Sequence, residues 1–215
     1  MTTTAYHHGN LREALVDAAL TAVREHGPDG LAVRDLARRV GVSHNAAYRH
    51  FADRDALVAE VAERGLTALT EAGRVRLAQV HRDDPVMLAR RRLFELGRSY
   101  VAFALAEPGL FRVVFAAYPQ IEASPGLVDP TGDADPLAQL NSTLDGLVDV
   151  GFLDASARPG AEITCWSAVH GFSLLHLEGP LRALPADLRD AALDQMLVAL
   201  DRGYGATTGN LTPLA

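Results

Sequence analysis

The 215-residue chain contains no lysine; all twenty of its basic residues are arginine. An arginine fork holds phosphates and guanine edges through two parallel hydrogen bonds, which a lysine ammonium cannot do. Cysteine is nearly absent as well. Cys165 stands alone, so no disulfide framework can form within one chain, and a reducing cytoplasm is the expected setting. No apolar run approaches the eighteen or so residues of a membrane span, and Met1 to Asn10 is too polar for a secretion signal. No membrane partner is expected. Positive charge is scarce overall: the net charge is −7. Taken over the whole chain, this opposes nucleic-acid binding, which needs local positive charge. Split by region, the objection weakens. Residues 1–52 hold six arginines against five acids, a balance of +1, so the acidic excess lies downstream.

Strand-like alternation, internal repeats and low-complexity tracts are also missing, and the pattern that remains is helical. Leu15, Ala18, Ala19, Ala22 and Val23 recur at helical spacing until Gly27-Pro28 stops the run. Short helices are predicted over 33–40 and from Ser43 to about Phe51, and a long one from Asp53 to about His81. The second half predicts helices over 86–106, 110–117, 136–150, 161–177 and 186–202. Between them lie a Pro/Gly/Asp-rich loop at 119–136 and a linker at 151–160. Helices joined by short breaks predict an all-α fold. The expected organisation is a headpiece at 1–60, a bundle at 61–203 and a flexible tail at 204–215.

The stretch from Val33 to Phe51 carries the function. Two short helices flank Gly41, which supplies the freedom of a tight turn. Ala37 is small where the helices must approach, and Val42 fills the space between them. Ser43 can cap the second helix with its hydroxyl. Short residues follow, so this helix can come close to a DNA major groove. His44 and Asn45 could then reach base edges and Ala46 a thymine methyl, although on pattern alone the segment also fits two surface helices of an ordinary helical bundle. Tyr48, His50 and Arg54 are positioned for backbone phosphates.

The ordered set of Leu15, Ala18, Ala19, Gly27, Gly30 and Leu31, then Val33-Arg34-Asp35-Leu36-Ala37, Gly41-Val42-Ser43, Tyr48-Arg49-His50-Phe51 and Asp53-Arg54-Asp55-Ala56-Leu57 resembles the TetR family of transcriptional regulators. The resemblance covers residues 10–60 closely. It implies a three-helix helix-turn-helix headpiece, with base reading at Arg34, His44, Asn45 and Ala46 and phosphate contacts at Tyr48, His50 and Arg54. Two positions depart from the family pattern. Ala32 stands where a Thr or Ser commonly caps the second helix, so that cap must come from elsewhere, with Asp35 at the third position as a partial source. Arg54 replaces a common lysine and keeps the charge.

More loosely, over residues 85–203, Pro108-Gly109-Leu110-Phe111-Arg112 and Trp166-Ser167-Ala168-Val169-His170-Gly171 are similar to a TetR-type C-terminal domain with a Trp…His-Gly motif. That resemblance implies ligand binding, and dimerisation through the last two long helices. Phe94, Tyr100, Phe103, Phe111, Phe115, Tyr118, Trp166 and His170 are candidates to line a pocket. Leu174, Leu175, Leu188, Ala192, Met196 and Leu200 are candidates for the dimer interface. A homodimer would present two headpieces to an approximately palindromic double-stranded operator, released when an unknown small molecule binds. No cofactor, metal or catalytic residue is expected. His170 and His176 are six apart, not three or four, and Cys165 reads as a small core residue. The rival class, an enzyme or simple binding bundle, has no nucleophile elbow, phosphate loop or metal spacing to support it. Within the regulator class the sequence does not separate repressor from activator.

Overall fold

The computed structural model describes residues 11–122 and 135–205, with the side chains of 118–122 outside the described set. Nine α-helices and no strand are found among the described residues. They fall into two compact units, one formed by 1–66 with 107–128 and the other by 67–106 with 129–215. The predicted loop and tail lie largely outside the described residues, at 123–134 and 206–215, as do Met1 to Asn10 and the Tyr118 side chain.

In the first unit, α1 (Leu11–His26) buries Leu15, Val16, Ala19, Ala22 and Val23, a stripe at helical spacing. One 3₁₀ turn over Gly27–Gly30 leads to α2 (Val33–Val40) and α3 (His44–Tyr48). The helix α6 (Pro108–Glu122) packs on α1 and on the 3₁₀ turn. It starts two residues earlier than the sequence suggested and continues into the predicted loop. Pro108 suits the first helical position, where its missing N–H has no partner to lose. Ion pairs link separate stretches of this unit, among them three: Arg12 with Glu60, Arg64 with Glu13 at 2.8 Å, and Arg24 with Glu107 at 2.9 Å. All three involve exposed or half-exposed arginines, so each contributes little to stability.

The helix α4 (Arg54–Ala78) begins in the first unit, where the Asp53 carboxylate accepts from the Ala56 N–H at 2.8 Å, and ends in the second. There, α5 (Pro85–Ala106) packs against α7 (Pro136–Asp149), α8 (Ala161–Leu177) and α9 (Ala186–Gly205). Two apolar clusters hold these helices. One joins Leu144, Leu147, Leu153, Ala161 and Cys165; the other joins Val101, Val169, Phe172, Leu193 and Leu197. Full burial of each large aliphatic side chain contributes about 1.5–3 kcal/mol. Arg90 to Asp201 at 2.6 Å and Arg98 to Asp194 at 2.7 Å tie α5 to α9.

The helix α9 also corrects the expected start of the tail. It runs through Gly205 because Tyr204 is anchored: its hydroxyl donates to the Ala161 carbonyl at 3.0 Å and lies 3.2 Å from Cys165 Sγ. Burial pushes the Cys165 thiol up, so it stays protonated at neutral pH and packs as a small apolar group.

Candidate nucleic-acid interface

The α2–α3 corner follows from a few residues. Gly41 adopts φ +79° at the end of α2, a left-handed conformation that any Cβ would strain. Its N–H donates to the Arg38 carbonyl at 3.1 Å, and the Val42 N–H donates to that of Ala37 at 2.9 Å, closing the helix. Ala37 and Ala47 are buried and Val42 is half-buried, so the two helices meet across small side chains. Phe51 closes the corner from below, with the Arg12 guanidinium 5.2 Å from its ring centroid.

Ser43 caps α3 as its position suggests, its hydroxyl accepting from the Ala46 N–H at 3.3 Å. Ser43→Ala is expected to cost about 0.5–1 kcal/mol, read as a lower midpoint in chemical denaturation. At α2 the outcome differs from the sequence expectation. Ala32 gives no side-chain cap, and Asp35 does not substitute for one; its carboxylate pairs with Arg38 at 2.9 Å. The Ala32 carbonyl still accepts from the N–H groups of Asp35 and Leu36, at 3.0 and 3.1 Å. Asp35 in the first turn retains a favourable interaction with the helix dipole.

Of the eight predicted DNA-facing residues, Arg34, Ser43, His44, Asn45, Tyr48, His50 and Arg54 are exposed and Ala46 is half-buried. His44, Asn45, Tyr48 and His50 have no intramolecular side-chain hydrogen bond among the described residues. Arg54 differs, since one of its N–H groups donates to the Pro28 carbonyl at 3.1 Å. The charge distribution is uneven around this corner. Arg12, Arg24, Arg38, Arg39 and Arg64 each face a carboxylate, whereas Arg34 and Arg49 face none among the described residues. Arg49, beside Tyr48 and His50, was not singled out in the sequence; its signal there was only its place in the motif.

The predicted pocket residues divide between the units. In the second, Trp166 Nε1 donates to the Tyr100 hydroxyl at 3.1 Å, and that oxygen lies 2.9 Å from His170 Nδ1. Burial holds the His170 imidazole below its ordinary pKa, which favours the neutral ring. Phe103 is buried, and Phe94 lies under the guanidiniums of Arg91 and Arg98. Phe111 and Phe115 belong to the first unit and pack ring to ring, with centroids 4.7 Å apart.

The predicted interface residues divide too. Leu174, Leu175 and Leu188 are exposed, while Ala192, Met196 and Leu200 are partly buried against the cluster around Val169 and Leu197. On α8 and α9, Ile163 and Val198 are further exposed apolar side chains that the sequence reasoning did not single out. A one-residue shift around α9 separates its core side from its open side, and the sequence is apolar on both.

Comparison with known proteins decides the family. Residues 15–61 match the model of bacterial regulatory proteins of the tetR family, and residues 93–200 match the tetracyclin repressor-like C-terminal domain. The chain belongs to the TetR family of transcriptional regulators. It is 27% identical over 92% of its length to a helix-turn-helix-type transcriptional regulator of Mycobacterium tuberculosis, 83% of which is covered. A helix-turn-helix-type transcriptional repressor from the same species is 30% identical over 59% of the chain, which spans 63% of that relative. Among solved structures, a Rhodococcus protein of unknown function is 27% identical with a TM-score of 0.71, covering 95% of this chain and 98% of its own. A TetR from Acinetobacter baumannii in complex with minocycline shares the fold at 21% identity and a TM-score of 0.62, covering 91% and 97%. The all-α architecture with an N-terminal helix-turn-helix and a C-terminal helical domain is therefore that of the TetR family.

Proposed function

We propose that this TetR-family regulator is a ligand-responsive repressor, binding an approximately palindromic operator as a homodimer. One observation carries the DNA-binding part of this reading. Around α3, a row of side chains suited to base edges and phosphates stands exposed and uncommitted, beside arginines that no carboxylate neutralises. Arg34, His44, Asn45 and Ala46 read bases in this scheme, while Ser43, Tyr48, His50, Arg49 and Arg54 position the headpiece on the backbone. Repression, rather than activation, is favoured by the relative from M. tuberculosis that is named a repressor.

Pairing of two chains through α8 and α9 supplies the second headpiece, and the two-fold axis sets the spacing of the half-sites. A small molecule bound in the second unit favours a conformation whose headpieces are wrongly spaced, and α4, which enters both units, transmits it. Such a ligand acts only through a difference in its affinity for the two conformations.

The experiment is a gel shift with the DNA upstream of the protein's own gene. Wild-type protein should give a discrete shift, competed by the same duplex and not by scrambled DNA. Arg34→Ala should weaken the complex about 10- to 100-fold, the range of one lost bidentate base contact. Arg34 is exposed and unpaired among the described residues, so its circular dichroism spectrum and melting temperature should match wild type. An unchanged shift in the variant would remove Arg34 from the interface; no shift from wild type on any neighbouring DNA would sink the operator assignment.

A further inference from the structure

In the second unit, a hollow of about 280 Å³ opens where α4 gives way to α5, lined by Arg76, Gln79, Val80, Arg82, Arg91 and Glu95. Three guanidiniums face one carboxylate here, a local charge of +2 in a chain whose net charge is −7. We propose that this hollow is a binding site for a small doubly charged anion, a phosphate monoester or a dicarboxylate, held by Arg76, Arg82 and Arg91 around the buried Glu95.

The arrangement of the arginines supports this. Glu95 is 5% exposed, and its two oxygens are divided between two arginines: Arg76 Nε lies 2.5 Å from Oε2, and an Arg91 terminal nitrogen lies 2.5 Å from Oε1. A buried carboxylate between two arginines seldom adds net stability, because desolvation of the charges offsets their attraction. What it does provide is position. The Arg91 guanidinium is fixed further by the Phe94 ring, 4.9 Å away at its centroid. Each guanidinium has five N–H donors, so the contacts to Glu95 leave donors on both arginines for another acceptor.

Arg82 completes the set. Its recorded hydrogen bond is to the carbonyl of its neighbour His81, at 2.8 Å, and no carboxylate pairs with it among the described residues. Asp84, close by in sequence, is engaged in capping α5, where it accepts from the Met87 N–H at 2.8 Å. A dianion would balance the remaining charge, and forked N–H groups match both phosphoryl and carboxylate oxygens. The volume suits a headgroup or small metabolite and is at the lower limit for a drug-sized ligand. The site is independent of the operator assignment above, because nothing in its chemistry requires DNA.

Isothermal titration calorimetry of the full-length protein tests it, with inorganic phosphate and succinate as separate probes and chloride holding ionic strength constant. Saturable binding at one site per chain is expected for at least one probe. Phosphate alone would assign a phosphate monoester, succinate alone a dicarboxylate, and both would show that charge is what the site reads. Arg82→Gln should weaken that binding at least about tenfold, with an unaltered melting temperature, since Arg82 holds no other element in place. Two results overturn the proposal: no saturable heat with either anion, or Arg82→Gln binding as wild type does. If Arg82→Gln instead weakens operator binding while neither anion binds, the arginines serve a DNA backbone and the small-anion site is refuted.

Discussion

Leu175→Glu combined with Val198→Glu should leave the protein folded but monomeric, and should weaken operator binding roughly 100-fold or more. The reasoning starts from exposure. On α8, Ile163, Leu174 and Leu175 are 55%, 36% and 45% exposed; on α9, Leu188 and Val198 are 53% and 36% exposed. Gly171, between the α8 residues, would meet nothing within 4 Å if it carried a Cβ. Apolar side chains standing in water along two helices, with open space over the glycine between them, mark a face suited to a second protein surface. In a two-fold dimer each glutamate would be buried against apolar groups of the other chain, a placement that unpaired charges strongly oppose. Within one chain both residues already face solvent, so the fold should be insensitive to the change. The DNA penalty follows from linkage: the second headpiece binds at high effective concentration only while the dimer holds. Light scattering gives the mass and circular dichroism the fold. A folded double variant that remains dimeric would place the interface elsewhere on the chain.

Periodicity and punctuation made most of the helices legible. Gly27-Pro28, Gly41 and Gly160 each sit at a helix boundary, and the limits of α8 at Ala161 and Leu177 match those read from the pattern. The exposure of the α3 side chains was legible because short polar residues follow a glycine turn, and such a segment has little to do in a core. Other features were not legible. The extension of α9 through Gly205 depends on Tyr204 reaching the Ala161 carbonyl, a contact 43 residues away in sequence. The open side of α9 was hidden because Ala192, Met196 and Leu200 are as apolar as Leu188 and Val198. The anion-binding hollow was invisible because Arg76, Arg82, Arg91 and Glu95 look like ordinary surface charge until α4 and α5 bring them together.

The placement of α6 with the first unit was likewise beyond the sequence, and it motivates the second large prediction. Pro108-Gly109 reads as a helix break; the structure puts both residues in the first turn of α6. Gly109 is there for proximity, since a Cβ at this position would lie 2.1 Å from the Val23 carbonyl oxygen and 3.0 Å from its carbon. The opposing atoms are backbone in the last turn of α1, at the end of its buried stripe, so no rotamer change can relieve the clash. Relief requires α6 to move away from α1. That movement would loosen Phe111, Val113 and Val114, all nearly inaccessible to solvent, and disturb the neighbouring Arg24–Glu107 pair. Gly109→Ala is therefore expected to cost about 3 kcal/mol, at the upper end for an overpacked core, and to lower the melting temperature by roughly 6–12 °C. The effect should fall on the headpiece, because α1 supports α2 and α3 as well as α6. Hydrogen exchange resolves this: amides of α1 and α6 should lose protection while those of α7 and α8 keep theirs. Wild-type stability in Gly109→Ala would mean that α6 does not approach Val23 as closely as described.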